Sequence, residues 1–117
     1  MATKPKLLSR DQFLAPTQHT EMYVIPELGG AVELRSLTRQ EQKDIAREGQ
    51  VDGKYDESLG EALMIVKATV TPALTVDDVG AIRQHSAGVV DRLIQKIGAL
   101  SGYGKAAVEA AKANFRP

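Results

Sequence analysis

The chain reads as a mainly α-helical α+β domain in which an N-terminal two-stranded β-hairpin packs on four to five helices. Three observations carry that reading. β-Branched and aromatic residues flank a Gly-Gly pair between Glu21 and Leu37. Beyond Leu37, helix-start signatures recur at Thr38 with Glu41, Ser58 with Glu61, and Thr75 with Asp78. Finally, Val89, Val90, Leu93, Ile94, Ile97 and Leu100 fall at helical spacing, with Asp91, Arg92, Gln95 and Lys96 on the other side.

Taken in order, Met1 to Thr20 is a polar, slightly basic, flexible arm punctuated by Pro5 and Pro16. Within it, Ser9 and Gln12 form a capping box ahead of Phe13 and Leu14, so one or two helical turns are expected before Pro16 stops them. Residues 21–117 form the single folded domain. Its hairpin, 21–37, places Val32, Leu34 and Ser36 on one side of the second arm and Glu33 and Arg35 on the other, the period of a strand with one wet face. In the first arm Met22 and Val24 oppose Tyr23 and Ile25, so both faces are apolar. Pro26 ends that arm because it cannot donate to a ladder.

A polar helix follows from Thr38 to about Glu48, with Gly49 as a left-handed stop, and Gly49 to Glu57 is a polar loop. Ser58 and Glu61 open a helix that is apolar almost all round from Leu59 to Val70, the pattern of a central core helix, which Thr71 and Pro72 end. A short helix runs through Val79, Ile82 and Arg83, and Ser86 caps the amphipathic helix that Ser101 and Gly102 close. An Ala-rich terminal helix is expected over Lys105 to Phe115.

Composition narrows the function classes. The 117 residues hold 15 Lys plus Arg against 15 Asp plus Glu, so no net field gathers phosphates. With three Tyr, two Phe and no Trp there is little to stack bases on. Absence of Cys excludes a disulfide scaffold or a thiolate zinc ribbon. A chain of this size buries roughly two-thirds of its unfolded surface, enough for a core without such staples. No apolar run approaches the roughly 20 residues a bilayer helix needs, and Met1 to Pro16 lacks a signal-peptide core; membrane association is not expected.

Chemistry finds little purchase. His19 and His85 have no ligand-like neighbours at helical spacing, so no metal is expected. Asp77 with Asp78 and Asp56 with Glu57 read as capping groups. Gly29 with Gly30 and Gly102 with Gly104 lack the strand, helix and lysine of a phosphate cradle, and no G-x-S-x-G elbow occurs. No catalytic residue, no cofactor and no enzyme activity are expected. A helix-turn-helix reading of Thr75 to Lys96 is the alternative: Arg92, Gln95 and Lys96 would enter a major groove. Asp77, Asp78 and Asp91 on the same surface oppose it.

The stretch V-I-P-E-L-G-G-A-V-E-L-R-S-L-T-R-Q-E-Q, Val24 to Gln42, resembles the opening of the tail assembly chaperones of long-tailed, siphovirus-like bacteriophages. Val66 to Pro72, Leu74 to Val79, S-A-G-V-V-D-R-L-I-Q-K-I at Ser86 to Ile97, and Leu-Ser-Gly at Leu100 to Gly102 resemble later stretches of the same family. The likeness spans about Val24 to Phe115 and rests on turns, caps and core positions. It implies a non-enzymatic factor of viral tail assembly, acting in the host cell cytoplasm and missing from the mature virion. Such a factor binds and solubilises the tape measure protein and helps recruit tail tube protein through a longer form made by programmed frameshift. The alternatives are a small DNA-binding regulator of phage origin and a minor tail structural protein. Self-association suits a chaperone spread along a rod-like client. The apolar groups least accounted for by one small core are Met22, Tyr23, Val24, Ile25, Tyr103, Val108 and Phe115, and these are the candidate partner-binding residues.

Overall fold

A computed structural model describes residues 5–16 and 18–102. The expected terminal helix, with Tyr103, Val108 and Phe115, lies outside the described residues. In chain order the elements are α1 (Arg10–Leu14), β1 (Thr20–Ile25), β2 (Gly30–Arg35), α2 (Arg39–Glu48), β3 (Gln50–Val51), β4 (Lys54–Tyr55), α3 (Glu57–Ala68), β5 (Thr69–Thr71), α4 (Val79–Ile82) and α5 (Ala87–Leu100). The mainly helical α+β class is therefore what the chain adopts. Among the described residues no helix is long and apolar enough to cross a membrane.

The hairpin pairs β1 and β2 antiparallel in unbroken register, from Thr20 opposite Arg35 to Ile25 opposite Gly30. Pro26 starts a short 3-10 turn, and Gly29, at φ 73°, supplies the left-handed residue that sends the chain back. The alternation holds. Leu34 is fully buried and Ser36 is buried, whereas Glu33 and Arg35 lie on the other side. Arg35 is drawn in by charge: its guanidinium donates to both carboxylate oxygens of Glu41 at 2.8 and 2.5 Å. Glu41 also accepts from the Thr38 amide, so one carboxylate joins the end of β2 to the first turn of α2.

The sheet has a third strand that the sequence reading places inside a helix. The apolar run from Leu59 stops being helical at Ala68, and Thr69 to Thr71 pair with β2 across a bulge between Glu33 and Leu34. β-Branched Thr69, Val70 and Thr71 suit an extended backbone, and Pro72 disfavours helix in the residue before it. The Thr69 hydroxyl donates to the Ile65 carbonyl at 2.7 Å and so closes the last turn of α3.

The region between Gly49 and Glu57 is a second, small hairpin, β3 on β4, rather than an open loop. Asp52 and Gly53 both have positive φ, 52° and 80°, as a tight Asp-Gly hairpin turn requires. Tyr55 then folds back on two glycines. A Cβ at Gly60 would lie 1.8 Å from the Tyr55 hydroxyl oxygen, and one at Gly49 would lie 2.9 Å from the ring and 2.8 Å from the Ile45 carbonyl. Gly49 has φ −80° and is thus no left-handed stop; glycine is needed there for space. Because the second hairpin ends at Tyr55, Asp56 and not Ser58 caps α3, accepting from the Leu59 amide at 3.1 Å.

The core lies where the inner face of the sheet meets α3 and α5. Ala62, Leu63, Ile65 and Ala68 of α3 and Val89, Leu93 and Ile97 of α5 are buried with Ile25, Leu34, Leu37, Ile45, Val79 and Ile82. Two serines tie the end of β2, one to the start of β1 and the other to the far end of α5. The Ser36 hydroxyl accepts from the His19 amide, and the Ser101 hydroxyl accepts from the Leu37 amide, each at 2.8 Å. Ser101 and Gly102 close α5 as expected, Gly102 at φ 80° in the left-handed region.

Two outcomes follow. Gly49→Ala removes the space shared by the Ile45 carbonyl and the Tyr55 ring and lowers stability by about 1–3 kcal/mol in chemical denaturation. The hydrogen bonds from Arg35 hold the Glu41 carboxyl well below its usual 4.5, at about 2. A carboxyl depressed in the folded state stabilises the fold above its unfolded value, and that contribution disappears as pH falls from near 4.5 towards 2. Glu41→Gln keeps the acceptor for Thr38, so its stability measured by urea denaturation changes less than that of the parent chain across this acid range.

Candidate partner-binding surface

The two-sided first arm of the hairpin is resolved by what covers each side. Ile25 is 3% exposed and belongs to the core, and Tyr23 is half-buried against it. Met22 and Val24 are each 65% exposed on the opposite face. Of the described candidates, then, Met22 and Val24 present apolar surface directly, whereas Tyr23 packs on the core and Ile25 helps to line what lies beneath.

What lies beneath is a cleft that sequence reading missed. It encloses about 230 Å³ between the inner end of the hairpin and the segment around α4. Ile25, Leu28 and Val32 form the hairpin side, Leu74 and Ile82 the opposite side, and Leu93 of α5 closes one end. Nothing in a single residue signals it. The nearest clue is that Leu28 sits between Pro26 and Gly29, in a turn too short to bury it, and Leu28 is accordingly exposed beside the opening.

The polar groups at the cleft are held by local backbone. Thr69 donates to the Ile65 carbonyl, and the Asp78 carboxylate accepts from the Thr75 amide at 2.7 Å. His85 lines the cleft from an exposed position. Among the described residues no three His, Asp or Glu side chains come together as a metal ligand set. The lining is mostly apolar and suits apolar side chains.

Charge frames the same face. Lys96 pairs with Glu21 at 2.9 Å, and Arg92 pairs with Glu27. Hydrogen bonding from Arg92 holds the Glu27 carboxyl below its ordinary value. Arg92 and Lys96 are the side chains that a helix-turn-helix would send into a DNA groove, and here both are turned to acidic groups of the hairpin. The first helix of that motif is also reduced to the four residues of α4.

A wider cavity of about 910 Å³ lies between the arm and the body, with Phe13, Ala15 and Pro16 on one side and Ser36 to Arg39 and Leu100 to Gly102 on the other. Its arm side is not built into the fold. The capping box of α1 forms as expected, Ser9 and Gln12 exchanging bonds of 2.9 and 3.1 Å, yet no residue of α1 is buried. Leu7, Leu8, Phe13 and Leu14 all remain exposed.

Compared with family models, with curated proteins and with solved structures, the chain has no match.

Because Phe13 and Leu14 stay 74% and 58% exposed in the described fold, replacing both by Ser leaves the free energy of unfolding within about 0.5 kcal/mol of the parent in urea titrations.

Proposed function

We propose that the chain is a tail assembly chaperone that holds the tape measure protein of a long-tailed phage in solution until tube subunits polymerise around it. One observation carries the reading: the segments that resemble the chaperone family converge on the open apolar cleft. Ile25, Leu28 and Val32 come from the Val24 to Gln42 stretch, Leu74 from the Leu74 to Val79 stretch, and Leu93 from the Ser86 to Ile97 stretch. An amphipathic helix binds by placing apolar side chains into such a depression, and the exposed Leu28 at its lining extends the apolar area available to it.

The ion pairs of Arg92 and Lys96 favour this reading over DNA recognition, because basic groups already engaged by carboxylates must exchange them for phosphates. Under the proposal the protein works in the host cytoplasm, needs no cofactor and leaves before the virion is complete. Tube subunits are recruited by a longer frameshifted form.

Co-expression with the tape measure protein encoded nearby tests the reading. The expected result is soluble tape measure recovered with the chaperone and lost without it. Ala81→Trp, at an exposed position lining the cleft, fills the depression and reduces that recovery while the circular dichroism spectrum stays unchanged. Tape measure that remains insoluble with the parent chain overturns the proposal.

A further inference from the structure

The two edges of the sheet are unequal. Strand order is β1-β2-β5, so β1 and β5 are the edges. β5 is blunted in three ways: it has three residues, it is bulged against β2, and Pro72 directly after it has no amide hydrogen to offer. β1 has none of these protections. It runs for six residues in unbroken register, and Pro26 lies beyond its end.

The register shows which groups face outward. The Ser36 amide donates to the His19 carbonyl, which makes His19 opposite Ser36 a hydrogen-bonded pair. Alternation along an antiparallel ladder then turns the amides and carbonyls of Glu21, Tyr23 and Ile25 to β2 and those of Thr20, Met22 and Val24 to the outer edge. No strand pairs with that edge among the described residues. The same Met22 and Val24 have side chains 65% exposed, so the edge offers backbone bonds and apolar contact together.

We infer that β1 pairs antiparallel with β1 of a second copy about a two-fold axis at Met22, joining the two sheets into one. Thr20, Met22 and Val24 are spaced symmetrically about Met22, so Met22 faces Met22 and Thr20 faces Val24 across the axis. Every outward amide and carbonyl of both strands meets a partner in this register, and the apolar side chains of one face meet as cross-strand neighbours. Charge selects it. A shift centring the axis on Glu21 sets carboxylate against carboxylate. The Met22-centred register instead sets Glu21 opposite the uncharged Tyr23 of the second copy. A helical client does not compete for this edge, because a helix has already paired its own backbone groups. The inference therefore stands on the sheet alone, and its test needs no client.

Light scattering of the purified chain over a concentration series reads the association directly. The expected mass rises from 12.6 kDa to twice that value. Amide exchange measured alongside slows at Met22 and Val24 as dimer forms and stays constant at Glu21 and Tyr23, which already pair with β2. Met22→Lys places like charges on the axis and holds the chain at 12.6 kDa, and an equimolar mixture with Met22→Glu restores the doubled mass. A parent chain that stays at 12.6 kDa throughout overturns the inference. So does a dimer whose Met22 and Val24 amides exchange as fast as in the monomer, or a mixture of the Lys and Glu variants that fails to dimerise.

Discussion

β2 is paired on both edges, to β1 and to β5, and Leu34 near its centre is completely buried. The rest of the domain hangs from that arrangement. On the core side, α3 and α5 lay their apolar faces against the strand, with Ile97 as fully covered as Leu34. At the C-terminal end of β2, Arg35 is clamped by Glu41, Ser36 binds His19, and Leu37 binds Ser101. Successive residues thereby fasten α2, the start of β1 and the end of α5. A one-residue slip would turn Leu34 outward and break these ties together, so register and packing specify each other.

Two consequences reach the surface. Since α5 crosses beside the hairpin, its basic residues find the hairpin carboxylates, and Arg92 and Lys96 become parts of the frame. Because α4 is short, the chain between β5 and α5 does not fill the space under the hairpin turn, and the apolar cleft remains. A six-residue strand lies at one edge and an apolar depression beneath it, and the two ask for different partners: an extended backbone for the first and apolar side chains for the second. The proposed self-pairing and the proposed client binding thus fall on separate surfaces, the strand edge and the cleft.

Much of the fold was legible because it is local. The capping boxes at Ser9 and Thr38, the alternation along Val32 to Ser36, the opposed faces of Met22 to Ile25 and the apolar stripe from Val89 to Leu100 each depend on residues within a few positions of one another. The Asp-Gly turn is equally local, with its signal at Asp52 and Gly53, but the flanking strands of two residues each are too short to show an alternation. The resemblance to tail chaperones lay in the sequence as well, and it supplied the functional reading that the cleft supports.

The amino-acid order by itself determined the α+β class and the inward faces of β2 and α5. Tertiary structure decided the rest. Thr69 to Thr71 became a strand because β2 offered an edge to bind, Gly49 and Gly60 were required because the Tyr55 ring returns over them, and Ile25 became core while Val24, its neighbour, stayed open. Each outcome depends on groups far apart along the chain meeting in space, which spacing within one segment does not encode. The cleft has the same origin: no single element is concave, and the depression exists only where a hairpin, a short helix and a long helix fail to close on one another.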